Sequence, residues 1–425
     1  MDSREFQFRM ESLRSAAGQK KIWLSELQGG RANTGFKLMD QVEPDDQQRW
    51  IWTGLSIGAE KILFWCWRDE VFGRETTGFG MIGGDGMKEE RLAAMRHTGA
   101  VLKEHEELLS GYRTDDPEVG VYFSPQSVYL FWSQEETGRT VRESIEGYCR
   151  ALIKCNIPME IIEENHLDRL DRVKILFMPR AVVVDEEIAS KLQAFVEAGG
   201  VLFCESETGS FHSNGLFDYP ADRWLFRLTG KIEPGRRKLG GTSLRVEHGG
   251  RSYRLPATHW LTPYVEDKNK ILGQYTSEQI LTEVSIGKGK VILYGSYAGN
   301  GYLRGSLHED PDFKDTVEEF ERFLTDVCRD SGIRIPVCGV GLKGENRSFD
   351  REPYIQTAVG RSGGKPMIFA FLPKGYEQGT LELDEGLAAV TKWRELLSGQ
   401  ELAGGAKITL GNLKWNIAVL VLVEK

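Results

Sequence analysis

Two short apolar runs, a helix-length apart, organise the front of the chain. The first is Ile22-Trp23-Leu24, followed by Ser25-Glu26 and then by Leu27-Gln28-Gly29-Gly30. Strand-forming residues that end in a carboxylate, with glycines straight after, suit a functional group at the C-terminal end of a parallel strand. The second run, KILFWCW at 61–67, ends in Arg68-Asp69-Glu70. Residues 45–59 between them read as a helix, with Asp45 and Asp46 opening it behind Pro44 and Gly58 near its end. Phe6, Met10, Leu13 and Ala17 recur at helical spacing before Gly18 and predict a helix over 6–18. The chain therefore starts α-β-α-β, one βαβ unit with Glu26 and a Trp-rich rim at the same open end. A Gly- and Thr-rich loop, 68–87, carries Glu75 within GRETTGFG; long loops on rigid scaffolds tend to carry function, which makes Glu75 a candidate for substrate contact. Residues 88–109 form an amphipathic helix with Leu92, Met95, Val101, Leu102, Leu108 and Leu109 as its apolar stripe. Thr114-Asp115-Asp116-Pro117 then reads as a linker.

The pattern changes after Glu118. Apolar runs of strand length at 119–123, 159–162, 173–178 and 201–204 alternate with helices at 137–155 and 185–198, the second closed by Gly199-Gly200. Alternating segments of this kind argue for a doubly wound parallel sheet. Its first strand is followed by Ser124-Pro125-Gln126-Ser127, read as a turn without GxGxxG, so no nicotinamide or flavin cofactor is expected. Cys204 in VLFCES reads as a buried thiol rather than a nucleophile. Residues 209–247 are loop-rich, with a basic turn at 235–241 that reads as solvated surface. Segments 280–286 and 290–294 form a hairpin around Gly287-Lys288-Gly289, an edge addition to the sheet. After a helix at 313–328, residues 335–425 show only short strands with Gly-rich turns, the signature of a small antiparallel sandwich.

Composition narrows the class. A chain of 425 residues, 40% hydrophobic and 28% charged, is that of a globular protein with two or three cores. A net charge of -9 disfavours nucleic acid as a partner. Six scattered cysteines without a CxxC pair read as reduced thiols of a cytoplasmic protein, and no Cys/His cluster supports a metal. The charged start, MDSREFQFRM, is no signal peptide, and no apolar run reaches membrane-spanning length. A Glu at a strand end is most simply a surface residue. Its aromatic company, Trp23, Trp65 and Trp67, shifts that reading, because such rings suit sugar faces as well as a core.

The combination of WLSELQGG, GLSIGAEKILFWCWRD, the GRE loop and a following VEAGGVLFCES segment resembles glycoside hydrolase family 42. The resemblance implies bacterial β-galactosidases built as a (β/α)8 TIM barrel, a trimerisation domain and a small β-sandwich, of which this chain carries the C-terminal portion. On that reading 1–112 hold the last βα units of the barrel, 113–332 a doubly wound α/β trimerisation-like domain, and 333–425 the antiparallel sandwich. Glu26 then matches the family's nucleophile on strand seven. Trp65, Trp67 and Arg68 match its strand-eight rim, and Glu75 a carboxylate in a loop that binds sugar hydroxyls; Trp23, Gln28 and Asn33 complete the substrate-binding candidates. Two positions depart from the family pattern: Thr76, Thr77 and Gly78 stand where a His is frequent, and Asn33-Thr34 where an Asn-Trp pair is common.

A retaining glycosidase needs two carboxylates about 5 Å apart, a nucleophile and an acid/base. In the family the acid/base lies on strand four, and a full barrel takes about 250 residues. The expectation is a truncated or split β-galactosidase whose acid/base half lies elsewhere. Two adjacent barrel strands cannot close, so their outer edges are expected to expose unpaired backbone groups, and the 6–18 helix face and the 88–109 stripe to lack part of their cover. The alternative is a non-catalytic oligomerisation module. The implied partners are a β-galactoside, further copies forming a trimer, and a separate N-terminal barrel half.

Overall fold

The computed structural model describes residues 3–266, 279–347 and 352–423. It divides into two compact units, one formed by Met1–Asp115 with Ile335–Lys425 and the other by Asp116–Arg334. The residues read from sequence as two separate end domains thus share the first unit.

In that unit the chain runs α1 (Ser3–Ala17), β1 (Ile22–Gln28), α2 (Pro44–Ser56), β2 (Ala59–Trp65) and α3 (Lys88–Glu104). Pro44 at the first helical position and Asp45 and Asp46 in the first turn start α2 as the sequence indicates. Strands β1 and β2 pair in parallel and form a two-stranded sheet of their own; among the described residues no further strand joins either edge. Ile22, Leu24, Ile57 and Ala59 make its small core, against which Met10, Leu13 and Ala17 of α1 pack.

The C-terminal part of the unit is a sandwich. Three antiparallel strands, in the order Val337–Gly344, Tyr376–Leu383, Lys407–Gly411, face a six-stranded sheet whose central strands are Lys365–Phe371 and Ile417–Leu422. The six-stranded sheet is buried on both sides. Ile368, Ala370, Ala418 and Leu420 point between the sheets with Trp393 and Leu381. Met367, Phe369, Phe371, Ile417, Val419 and Val421 point the other way and pack with Trp52 of α2, Val101 of α3 and Tyr112. Tyr112–Thr114 even adds an edge strand to this sheet, pairing antiparallel with Gln356–Ser362. The 88–109 stripe finds cover in the sandwich: Val101 is buried against its sheet and Leu102, Leu108 and Leu109 pack there partly buried, while Leu92 and Met95 stay half-buried. That stripe also breaks at His105 into two helices, Lys88–Glu104 and Glu106–Ser110. One short helix, Glu385–Ala388, interrupts the strands of the sandwich.

The second unit is built on a six-stranded sheet in the order Leu281–Ile286, Gly289–Tyr294, Val201–Cys204, Ile175–Met178, Val119–Phe123, Met159–Glu163. All neighbours are parallel except the first pair, the hairpin that extends the edge. Its central strands Ile175–Met178 and Val201–Cys204 are buried on both faces, as their unbroken apolar runs require. Ser124-Pro125-Gln126-Ser127 is not a turn. The Ser124 hydroxyl accepts from the Ser127 amide and caps a helix, Pro125–Glu135, that begins with Pro at its first position. The loop-rich 209–247 stretch contains the strands Arg237–Lys238 and Ser243–His248.

Candidate active site

Glu26 lies where β1 departs from regular pairing. Leu24 pairs with Ile62 and Leu27 with Phe64, so three steps along β1 oppose two along β2. Near its start β2 carries the compensating irregularity, and the register closes with Ile22 opposite Ala59 and Gln28 opposite Trp65. In a regular strand Glu26 would fall on the side of Ile22 and Leu24, against the helices. The extra residue turns it over. Ile22, Leu24 and Leu27 are buried, whereas Trp23, Ser25 and Glu26 are all exposed on the uncovered side of the sheet. Bulges are characteristic of barrel rims, where they re-aim a side chain. Among the described residues the Glu26 carboxylate has no hydrogen-bond or ion-pair partner.

The same side carries an apolar and aromatic surface. Trp23, Leu63, Trp65 and Trp67 are 53%, 50%, 42% and 63% exposed, which is far more than rings of a finished core show. Lys61 Nζ stands 4.1 Å from the Trp23 ring centroid. Trp65 Nε1 donates to Glu75 Oε2 at 3.2 Å, which brings the rim and the loop carboxylate together beyond the strand end. Trp67 and Arg68 are exposed at the start of the loop, and the Arg68 carbonyl accepts from Cys66 Sγ at 2.8 Å. Cys66 sits in a field of carboxylates: its thiol is pushed up by desolvation and then by Glu70, Asp69 and Glu75.

Two candidates serve the loop itself. Asn33 is buried, and its Nδ2 donates to the Thr76 carbonyl at 2.5 Å and to Thr77 Oγ1 at 2.9 Å, tying down the segment that presents Glu75. Gln28 Nε2 donates to the Gly30 carbonyl at 2.7 Å.

What the sequence pattern did not reveal is how the 68–87 loop is held. Asp69 Oδ1 and Oδ2 accept from the Gly80 and Gly84 amides at 3.0 and 2.9 Å. Arg91 of α3, with no exposed surface, donates to both oxygens of Asp85 at 2.5 and 2.8 Å. It also donates to the carbonyls of Met81 and Val42, each at 3.0 Å. Gly29 and Gly30 let this loop approach: a Cβ on Gly30 would lie 2.0 Å from the Gly80 carbonyl oxygen, and one on Gly29 2.7 Å from that of Cys66. The glycines after Glu26 are there for packing. The only signal of it in the sequence is the recurrence of Gly80, Gly83 and Gly84 before Asp85. Among the described residues no group of three metal-ligating side chains gathers, and no helix is long and apolar enough to cross a membrane.

Residues 2–105 match the family model described as beta-galactosidase, and residues 117–309 the one described as beta-galactosidase trimerisation domain. Among curated relatives, the beta-galactosidase BgaA of Clostridium cellulovorans is 22% identical over 67% of this chain and 44% of its own. The beta-galactosidase LacZ of Heyndrickxia coagulans is 26% identical over 71% of this chain and 46% of its own. The chain thus spans less than half the length of these relatives. Among solved structures, Gan42B, a GH42 beta-galactosidase from G. stearothermophilus, superposes with a TM-score of 0.73 at 18% identity, covering 99% of this chain and 57% of that one. The beta-galactosidase from Bacillus circulans sp. alkalophilus gives 0.72 at 18% identity, over 100% and 58% of the two chains.

Proposed function

The chain belongs to glycoside hydrolase family 42, and on that premise we propose that Glu26 is the nucleophile of a retaining β-galactosidase. The observation that carries this reading is the β1 irregularity, which presents an unpartnered carboxylate on the aromatic, uncovered side of a parallel strand pair. Glu26 attacks the anomeric carbon of a terminal β-D-galactoside, and the glycosidic C–O bond breaks as an acid gives its proton to the leaving oxygen. Water then displaces the sugar from Glu26 with that acid acting as base. Trp65, Trp67 and Trp23 offer faces for the sugar ring, Glu75 accepts from its hydroxyls, and Arg68 bounds the pocket. The acid/base comes from barrel strands that pair with the open edges of β1 and β2, in a half of the barrel that these residues do not supply.

The test is trapping. A 2-fluoro galactoside with a good leaving group should label the peptide carrying Glu26, once the remaining barrel strands are supplied, and should leave Glu26→Gln unlabelled. Absence of label with the barrel complete sinks the reading and leaves a non-catalytic oligomerisation module. The match of 117–309 to a trimerisation domain supports assembly on either account, as a homotrimer measurable by light scattering. The six free thiols suit a cytoplasmic setting.

A further inference from the structure

The second unit contains a cavity of about 410 Å³ that plays no part in the reading above. Thr242, Thr258, His259, Asn300, Arg304 and Asp310 line it. Arg180, the residue behind its wall, follows the sheet strand Ile175–Met178, and Asn300 follows Gly289–Tyr294, so the cavity belongs to the carboxyl end of a doubly wound sheet. That end is where such sheets take ligands.

Arg180 is fully buried. Its Nε donates to Asn300 Oδ1 at 2.6 Å, and its Nη2 donates to Thr258 Oγ1 at 2.9 Å and to His259 Nδ1 at 2.8 Å. All three partners line the cavity. Its Nη1 is buried without a partner among the described residues. The nearby carboxylate, Glu205, accepts from Tyr148 Oη at 2.9 Å, the Ala298 amide at 2.7 Å and the Arg180 backbone amide at 3.0 Å, and not from the guanidinium. A buried guanidinium normally has an anion against it; this one lies 3.9 Å from the Tyr297 ring centroid, and no ion-pair partner stands against it among the described residues.

Two more donors stand open beside it. Because His259 Nδ1 accepts from Arg180, its proton sits on Nε2, leaving that N–H available. Although the ring reaches solvent, desolvation and then Arg180 and Arg304 hold its pKa down at about 3, so it stays neutral. Arg304 is exposed, and its guanidinium has no hydrogen-bond or ion-pair partner among the described residues. Arg180 and His259 also have left-handed backbones, φ 47° and 69°, a conformation that is costly for residues with side chains. Leu239 and Gly241 close one side, while Arg236, Arg237 and Lys238 of the same basic turn are exposed, as its reading as solvated surface expects. Asp310 repels a bare anion but accepts from hydroxyls.

We propose that this cavity binds the oxyanion of a small polyhydroxylated molecule, a sugar phosphate or sugar acid, through Arg304 and His259 Nε2, with Arg180 as the charge behind them. Titration calorimetry on the full chain, at constant chloride ionic strength, tests it with glucose 6-phosphate, glucuronate and glucose as probes. One or both anionic sugars should bind saturably and glucose should not; which of the two binds tells a tetrahedral from a planar oxyanion. Arg304→Gln, at an exposed position, should weaken binding about tenfold or more without lowering the thermal midpoint of the free protein. His259→Asn provides a second, independent loss. Silence of both anionic probes at concentrations on the order of 10 mM, glucose binding as tightly as its phosphate, or equal binding by Arg304→Gln would overturn the proposal. Glu26→Gln should bind like the unaltered chain, which separates this site from the proposed catalytic one.

Discussion

Replacing Arg91 by Met tests whether a buried ion pair holds the loop that frames the Glu26 site. The Arg91 and Asp85 side chains are 0% and 2% exposed, and the pair is bidentate. Removing one partner of such a pair costs roughly 3–5 kcal/mol, because the other is left charged and out of water. A rim-exposed pair would cost at most about 1 kcal/mol, so the two possibilities are well separated. The pH dependence adds a sign. Burial works to raise the Asp85 pKa, but the hydrogen bonds from Arg91 and the Met87 amide outweigh it and the carboxyl ends below its usual value. Its contribution to stability is therefore present above the unfolded carboxylate pKa, about 3.9, and is lost as pH falls through the lower folded value. With Met at 91 the burial effect loses its main opponent and the folded pKa rises, so the deficit should be full at pH 7 and shrink towards pH 4. Hydrogen exchange of the Gly80 and Gly84 amides, both donors to Asp69, reads the loop directly, and urea unfolding at pH 7 and pH 4 gives the magnitude. Arg91→Met combined with Asp85→Asn should recover part of the loss. A deficit under about 1 kcal/mol at pH 7, or a double variant no better than the sum of the singles, would refute the argument.

Three further outcomes follow from the geometry. Glu26→Gln, in the chain completed by its remaining barrel strands, should lower turnover of aryl galactosides by at least roughly a thousandfold with an unchanged unfolding midpoint; retained turnover would remove the nucleophile assignment. Gly30→Ala should destabilise by about 1–3 kcal/mol, since its Cβ meets the Gly80 carbonyl at 2.0 Å, and a neutral thermal midpoint would show that the loop packs elsewhere. Phe369→Ala should cost about 3–5 kcal/mol and speed exchange in α2 and α3, because the Phe369 and Tyr112 rings meet edge-on with centroids 5.0 Å apart and Phe369 shares its core with Trp52 and Val101; exchange faster only inside the sandwich would show that the helices do not depend on that face.

Periodicity located most of the elements because it reports local burial, and it failed where burial comes from a distant segment. An open strand pair leaves the stripe at 88–109 short of part of its cover. The cover was written in the sandwich strands MIFAF and IAVLVL, whose apolar runs do not alternate. A sandwich strand with one solvated face alternates; an unbroken run asks for a second cover, and Trp52, Val101 and Tyr112 provide it. Ser124-Pro125 misled in the opposite direction. The stretch after the first strand reads as a turn, yet a Ser followed by Pro is equally the start of a helix. The buried Arg91 and the orphan nitrogen of Arg180 lie outside any sequence rule, because charged residues on a helix or after a strand look solvated until their partners are seen.

The stretch KIWLSELQGG shows how much separates a residue's position from its direction. Spacing put Glu26 at the end of a parallel strand. Strict alternation from Ile22 and Leu24 would then have turned its carboxylate into the helix layer, where an unpaired charge is not tolerated. The strand resolves the conflict by giving Ser25 and Glu26 the same exposed side and returning Leu27 to the core. Neighbouring β2 adjusts in the opposite sense, so that the register is regained at Gln28 and Trp65. Trp65 is thereby held level with the end of β1, and its indole reaches Glu75. A bulge of this kind has no composition of its own: Ser25 is unremarkable, and only the buried residues on either side demand the extra step. The candidate site therefore depends on a backbone feature fixed by Leu24 and Leu27, residues that would never be chosen for their chemistry.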